Sequence, residues 1–152
     1  MQGPGQAGPR DLARAFTRAI PVAVSGDPIW ATLAVGSAGS FDLKIVLGDD
    51  GRIASATPDR PVAEHLRVVA ARTVSLLGTG TFAIRAEPGG GVQVLRISAL
   101  ISNSEGAPPE DQSSAGAYGL GFEAPVGGKP GKAHFTLRSG RHIEITVRVL
   151  PS

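Results

Sequence analysis

The chain has 152 residues with a formal net charge of +2, and it carries 21 glycines, 12 prolines and no cysteine. This length suits one domain with a hydrophobic core, and the large share of glycine and proline predicts short strands joined by many turns. The missing cysteines exclude disulfides, thiolate nucleophiles and cysteine-bound zinc. Lysine and arginine never stand side by side, so we predict no nucleic-acid partner.

The first residues differ in composition from the rest. Residues 1–10 are rich in Gly, Pro and Gln and lack the basic start and apolar run of a signal peptide. They are typical of a flexible linker, so we expect a tail over 1–10, a single domain over 11–152, and a longer parent protein upstream. The acidic stretch from Ser102 to Gly116 is predicted to be a mobile loop.

Two segments show helical periodicity. Asp11 is suited to cap a short helix with Leu12, Phe16 and Ile20 on one side, and Pro21 opposes its continuation. A longer helix is predicted over Pro61 to Leu77, where Gly78 indicates a left-handed stop. Its apolar stripe consists of Val62, Leu66, Val69, Thr73 and Leu76. Between the helices, Asp27 and Pro28 predict a helical turn that buries Trp30.

In the remaining sequence, apolar and polar residues alternate as they do in strands. Strands are predicted over 41–47, 52–57, 92–101, 132–137 and 141–150, with a weaker one near Tyr118 and Phe122. A three-residue loop ending at a left-handed Gly51 pairs Leu47 with Ile53. The same rule at Arg138-Ser139-Gly140 pairs Phe135 with Ile143 and His134 with Glu144. The fold class is therefore α+β, with a mostly antiparallel sheet of about six strands packed against two helices.

Three histidines are the candidates for acid–base or metal chemistry. His65 is predicted to lie at the solvent border of the second helix, in an ordinary surface role. His134 and His142 are placed near Glu144 on the outward face of the sheet, where a solvated polar face explains such neighbours without a metal. No Gly-x-Ser-x-Gly elbow occurs. We therefore predict no catalytic residue, no metal and no cofactor.

The order of elements from Ser40 to Asn103 resembles the C-terminal domain of TonB-family energy transducers. The resemblance is carried by a strand beginning at Phe41, the turn Asp49-Asp50-Gly51-Arg52-Ile53, the helix over Pro61 to Leu77, the pair Thr81-Phe82, and the strand from Val92 to Ile101. It covers residues 40–103, and residues 104–152 are expected to add further strands.

This resemblance implies a non-catalytic protein–protein interaction domain on the periplasmic side of a bacterial cell envelope. Such a domain belongs to a longer protein, meets the membrane only through an anchor outside this chain, and transmits force to an outer-membrane component. It binds an envelope protein through an exposed strand edge by β-augmentation. The implied partner-binding residues are Val92, Gln93, Val94, Leu95 and Arg96, with Gln93 and Arg96 as the side-chain contacts.

Several alternatives stay open. The strand from Val92 to Ile101 is central if the C-terminal strands cover it, and Ile143 to Val149 then becomes the candidate edge. The domain is alternatively part of a multiprotein envelope machine such as that of gliding motility, or an oligomerisation module that forms a homodimer. A further class is a small-ligand-binding or enzymatic α+β domain with a pocket between Trp30, Phe41 and Phe82.

Overall fold

A computed structural model describes residues 10–83, 91–103, 117–125, 129–137 and 140–150. The elements are β1 (Arg10–Asp11), α1 (Leu12–Val24), a 3-10 turn (Pro28–Ala31), β2 (Gly36–Leu47), β3 (Ile53–Pro58), α2 (Glu64–Leu77), β4 (Phe82–Ala83), β5 (Gly91–Asn103), β6 (Ala117–Glu123), β7 (Gly131–Leu137) and β8 (Arg141–Leu150). In these ranges six antiparallel strands form one sheet in the order β3-β2-β5-β8-β7-β6, while β1 and β4 pair in parallel. The α+β fold class is confirmed. The predicted tail, apart from Arg10, and the predicted loop from residue 104 onward lie outside the described residues.

Both helices cover the same side of the sheet. The buried strand residues are cross-strand partners, as with Leu43 and Leu95 or Ile101 and Ile143, and they form one core with the buried sides of α1 and α2. Helix α1 contacts β6, β7 and β8, whereas α2 contacts β2 and β3. The other side of the sheet, called the open face below, begins with Asp42, Lys44 and Val46 of β2 and continues through their cross-strand partners.

Helix α1 begins as predicted but does not end at Pro21. Asp11 caps it by accepting a hydrogen bond from the Arg14 N–H at 2.9 Å. The helix then passes through Pro21 to Val24, which is fully buried. A proline in a helix costs about 3 kcal/mol because it removes one N–H and crowds the preceding turn, and burying a valine side chain returns about 1.5–3 kcal/mol. The extra turn is therefore stabilised by tertiary burial.

Helix α2 ends at Leu77 as predicted but begins later, and the conformation of the residue that follows it differs. It begins after Ala63, which makes no side-chain cap, and Gly78 follows it with φ −64°, so the predicted left-handed stop is wrong. The stripe also shifts at its end, because Leu77 is buried and Leu76 is half exposed. The predicted turn at Asp27 is confirmed: its carboxylate accepts the Ile29 N–H at 3.0 Å, and Trp30 is fully buried.

Both predicted hairpin registers are confirmed. Leu47 pairs with Ile53, with a bulge next to that pair. At the tip, Gly51 has φ +82° and donates its N–H to the Gly48 carbonyl at 2.9 Å. In the second hairpin Phe135 pairs with Ile143 and His134 with Glu144. Gly140 has φ +92°, and the other two predicted loop residues, Arg138 and Ser139, lie outside the described residues.

Candidate functional site

The strand that carries the predicted partner-binding residues lies in the interior of the sheet. Val94, Leu95 and Arg96 pair with β2 on one side and with β8 on the other, while Val92 and Gln93 pair with β2. This is the central-strand alternative left open by the sequence. The edge then expected at Ile143 to Val149 is wrong too, because β8 lies between β5 and β7. A partner strand cannot be added at Val94, Leu95 and Arg96, because β8 already occupies that edge of β5.

The two predicted side-chain contacts point to opposite sides of the sheet. Gln93 faces the helices with Leu95 and Ile97 and is 6% exposed. Arg96 lies on the open face, where its Nε and Nη2 donate to the two carboxylate oxygens of Asp42 at 2.8 and 3.2 Å. The hydrogen bond from Arg96 holds the pKa of Asp42 below its usual range, against a smaller opposing effect of burial. Arg96 thus already has an ion-pair partner within the domain. Because Gln93 and Arg96 face opposite sides of the sheet, one partner surface cannot contact both side chains.

The outermost strands of the sheet are β3 and β6. One hydrogen bond, from the Asp59 N–H to the Asp42 carbonyl at 2.9 Å, shows which backbone groups of β3 point toward β2 and which point outward. Hydrogen-bonded and non-hydrogen-bonded pairs alternate in an antiparallel ladder, so Thr57 and Ser55 bond to β2. Ala56 therefore directs its N–H and C=O away from the sheet. Pro58 adds an outward carbonyl but has no N–H.

A groove runs between this edge and helix α2. It has a volume of about 350 Å³, and its walls are Ile53, Ala54, Ser55, Ala56 and Pro58 from β3 and Arg67, Ala70, Ala71 and Val74 from α2. Ile53, Ala56 and Pro58 lie opposite Leu47, Ile45 and Leu43, so their side chains face the helix layer. The groove exists because Ala56, Ala70 and Ala71 are too small to fill the space between strand and helix.

The rim of the groove is polar. Arg67 forms an ion pair with Glu64 one turn earlier, and both side chains are more than half exposed. The edge thus combines unpaired backbone groups, an apolar floor and a charged border. The sequence patterns did not predict this edge, although short length, small side chains and a terminal proline are features of edge strands.

The histidines have structural partners. His65 is half buried on α2: its Nε2 donates to the Ala38 carbonyl at 2.6 Å, and its ring meets Trp30 edge-on at 5.7 Å. His142 shares a hydrogen bond with Thr136 at 3.1 Å and stacks on His134, with ring centroids 5.8 Å apart. Among the described residues, no three His, Asp or Glu side chains come close enough together to hold a metal ion.

The aromatic residues suggested for a ligand pocket are members of the core. Trp30, Phe41 and Phe82 are at most 1% exposed, and Trp30 meets Phe135 edge-on at 5.9 Å. They fill the space between the helices and the sheet. Within the described ranges no helix is long and apolar enough to cross a membrane.

Comparison of the chain with protein-family models, with curated proteins and with solved structures gives no match. The strand, turn, strand, helix, Phe82 and strand of residues 40–103 do follow each other in the predicted order. The relationship to TonB-family domains itself stays a prediction.

Proposed function

We propose that this domain is a non-catalytic protein-interaction module that binds an extended segment of a partner protein along the outer edge of β3. It is supported by the apolar groove between β3 and α2, and by the outward N–H and C=O of Ala56 that the ladder alternation implies. In β-augmentation, backbone hydrogen bonds to an edge strand provide affinity and pockets for alternate side chains provide specificity. The edge is a different one from the Val92–Arg96 edge that the TonB resemblance implies.

The dimensions of the groove restrict the partner. An apolar cavity of about 150 Å³ accommodates one benzene-sized group, so the groove of about 350 Å³ has room for two apolar side chains. In an added strand, residues i and i+2 point to the same side and lie roughly 6.8 Å apart. The preferred ligand is therefore a short extended peptide with two large apolar residues separated by one residue of any type.

The envelope partner, the periplasmic location and the force-transmitting role remain part of this proposal through the TonB resemblance alone. The gliding-machine alternative rests on the same resemblance. Binding at the β3 edge does not require either, because it depends on backbone geometry and on the groove.

The test is selection from a random decapeptide library on the immobilised protein, followed by affinity measurement with fluorescently labelled peptides. Ala71→Leu, on the exposed side of α2, fills the groove without disturbing the ladder, and Ala56→Pro removes the outward N–H. Each change should weaken binding by about tenfold or more, comparable to the loss of one well-packed apolar contact or one hydrogen bond. Ala31→Leu, the same exchange at an exposed position outside the groove, should leave affinity unchanged.

Binding that survives both variants, or the absence of any selected peptide, contradicts the proposal. A concentration-dependent dimer that Ala71→Leu abolishes, with no peptide bound, would show that a second copy of the chain uses this edge. Amide shifts on binding should be largest over residues 53–58 and 67–74.

A further inference from the structure

On the open face, a row that holds two arginines lies beside a row that holds two aliphatic residues. In the first row, Asp42, Arg96 and Arg148 are consecutive cross-strand partners; in the next, Lys44, Val94 and Leu150 are. Both helices lie on the other side of the sheet, since their buried residues belong to the single core. This face is therefore accessible wherever the structure describes it.

Among the described residues, the ion pairs on this face leave one guanidinium, that of Arg148, without a carboxylate. Arg96 and Arg148 lie directly opposite each other, and like charges in that position destabilise a sheet. Asp42 pairs with Arg96 at 2.8 Å. In the part of the chain that the structure describes, no acidic group lies within ion-pair distance of Arg148. Glu144 instead pairs with Lys132 at 3.5 Å.

Apolar side chains next to these cations are partly accessible on the open face. Val92 is 45% exposed, and it lies opposite Val46 in the row beyond Lys44 and Val94. Val46, Val94 and Leu150 are half buried. Along the strands, the two guanidinium groups thus lie two residues from Val94 and Leu150 and four residues from Val92.

We infer that the open face binds an acidic amphipathic segment of a partner protein, with a carboxylate held between Arg96 and Arg148 and an apolar side chain on Val92 and Val94. A carboxylate placed there relieves the Arg96–Arg148 repulsion and takes up the donors that Asp42 leaves unused. A single acidic side chain needs to reach only Arg96 and Arg148, whereas an anionic membrane surface would also meet the carboxylates of Asp42 and Glu144. This surface is separate from the β3 groove, so either proposal can fail alone.

The experiment is an NMR titration of the isotope-labelled protein with the peptide Glu-Glu-Leu-Glu-Glu-Leu-Glu-Glu at low salt, with a version carrying Gln for every Glu as the control ligand. Arg148→Gln removes a cation that has no ion pair to lose, and Lys132→Gln removes a cation from the same face that Glu144 already neutralises. We expect saturable shifts at residues 92–96 and 146–150. Arg148→Gln should weaken binding by about fivefold or more and Lys132→Gln by less than about twofold, because charge-assisted contacts depend on geometry and not on net charge alone.

Equal losses in the two variants would show a non-specific field and overturn the inference, as would the absence of saturable shifts or binding that the Gln peptide reproduces. Shifts confined to β3 and α2 would assign the peptide to the groove instead. Co-sedimentation with vesicles containing about 30% phosphatidylserine, if it depends on Arg148 while the peptide does not bind, would identify a membrane as the ligand and also overturn it.

Discussion

Gly51 holds the tip of the β2–β3 hairpin in a conformation and a contact that an alanine does not fit. Its φ is +82°, and a Cβ at this position would lie 3.2 Å from the Phe82 carbonyl oxygen. The Gly51 carbonyl also accepts the Phe82 N–H at 2.8 Å. Gly51→Ala should therefore strain the turn and push the hairpin away from β4, which lowers the stability of the folded domain.

The expected loss of unfolding free energy in Gly51→Ala has two parts. A left-handed conformation costs an L-residue about 1–2 kcal/mol, and the forced contact with Phe82 adds on the order of 1 kcal/mol. The stiffer unfolded chain offsets roughly 0.4–1 kcal/mol of this. The net loss is about 2 kcal/mol, which lowers the Tm of a domain of this size by roughly 4–8 °C.

Alanine substitutions at two other glycines serve as controls for the backbone strain and for the contact with Phe82. Gly36 has φ +118° and nothing within 4 Å of its Cβ position, so Gly36→Ala measures backbone strain alone. Gly26 has neither strain nor a close neighbour, and Gly26→Ala should be neutral or stabilising. Urea unfolding followed by the fluorescence of Trp30, the single tryptophan, gives all three free energies. Since φ +118° is further from the left-handed minimum than φ +82°, a larger loss for Gly51→Ala than for Gly36→Ala would demonstrate the Phe82 contact. A Gly51→Ala loss no larger than that of Gly26→Ala would refute both the contact and the turn geometry.

Two further predictions concern the open face. The pKa of Asp42 is lowered by the hydrogen bond from Arg96. The stability that this carboxylate contributes is therefore present above the unfolded carboxyl pKa of about 3.9 and is lost as pH falls through the folded pKa. Asp42→Asn should reduce stability slightly near neutral pH, and a difference of the same size at about pH 1 would contradict this. A Cβ on Gly121 would lie 2.7 Å from Cε1 and Nε2 of His134, so Gly121→Ala should cost about 1–3 kcal/mol and clearly less in a His134→Ala background. Additive losses in that double-mutant cycle would exclude the contact.

Local rules were sufficient for the hairpins. A glycine at the last loop position needs a left-handed backbone, and the choice between a two- and a three-residue loop then decides which side chains share a face. This argument placed Leu47 against Ile53 and Phe135 against Ile143, and both pairs are observed. Burial of alternate residues in β5 follows from the same period of two.

The order of the strands was beyond those rules. Nothing in the periodicity of β8 indicates that it lies beside β5, about fifty residues earlier in the sequence. The predicted edge at Val92 to Arg96 depended on that neighbour. Gln93 is a different case, because Leu95 and Ile97 were already assigned to the core side and alternation places Gln93 with them. Its polarity was the misleading signal.

Helix ends were decided by tertiary contacts rather than by capping residues. Pro21 was expected to oppose continuation of α1, yet the last turn is retained because Val24 is buried. In α2, neither a side-chain cap nor a left-handed glycine marks the ends. Burial of Leu66, Val69 and Leu77 in the core provides the stability that the termini lack, as is usual for helices of this length.

An open strand edge is a risk for aggregation, and the β3 edge has features that restrict it. The bulge beside Leu47 interrupts the ladder at Ala54, and Pro58 supplies no donor at the other end, which are two of the devices that protect natural edges. Between them, Ala56 offers one outward N–H and one outward C=O in regular geometry.

A long strand therefore gains little from this edge, because beyond Ala56 its backbone groups would find only the outward carbonyl of Pro58. A short segment that fills the adjacent groove with two side chains gains both kinds of contact, so affinity should increase with the size of those two side chains and level off as the peptide is lengthened beyond about five residues. An affinity that continues to rise with each added residue would show that the edge pairs as an ordinary open strand.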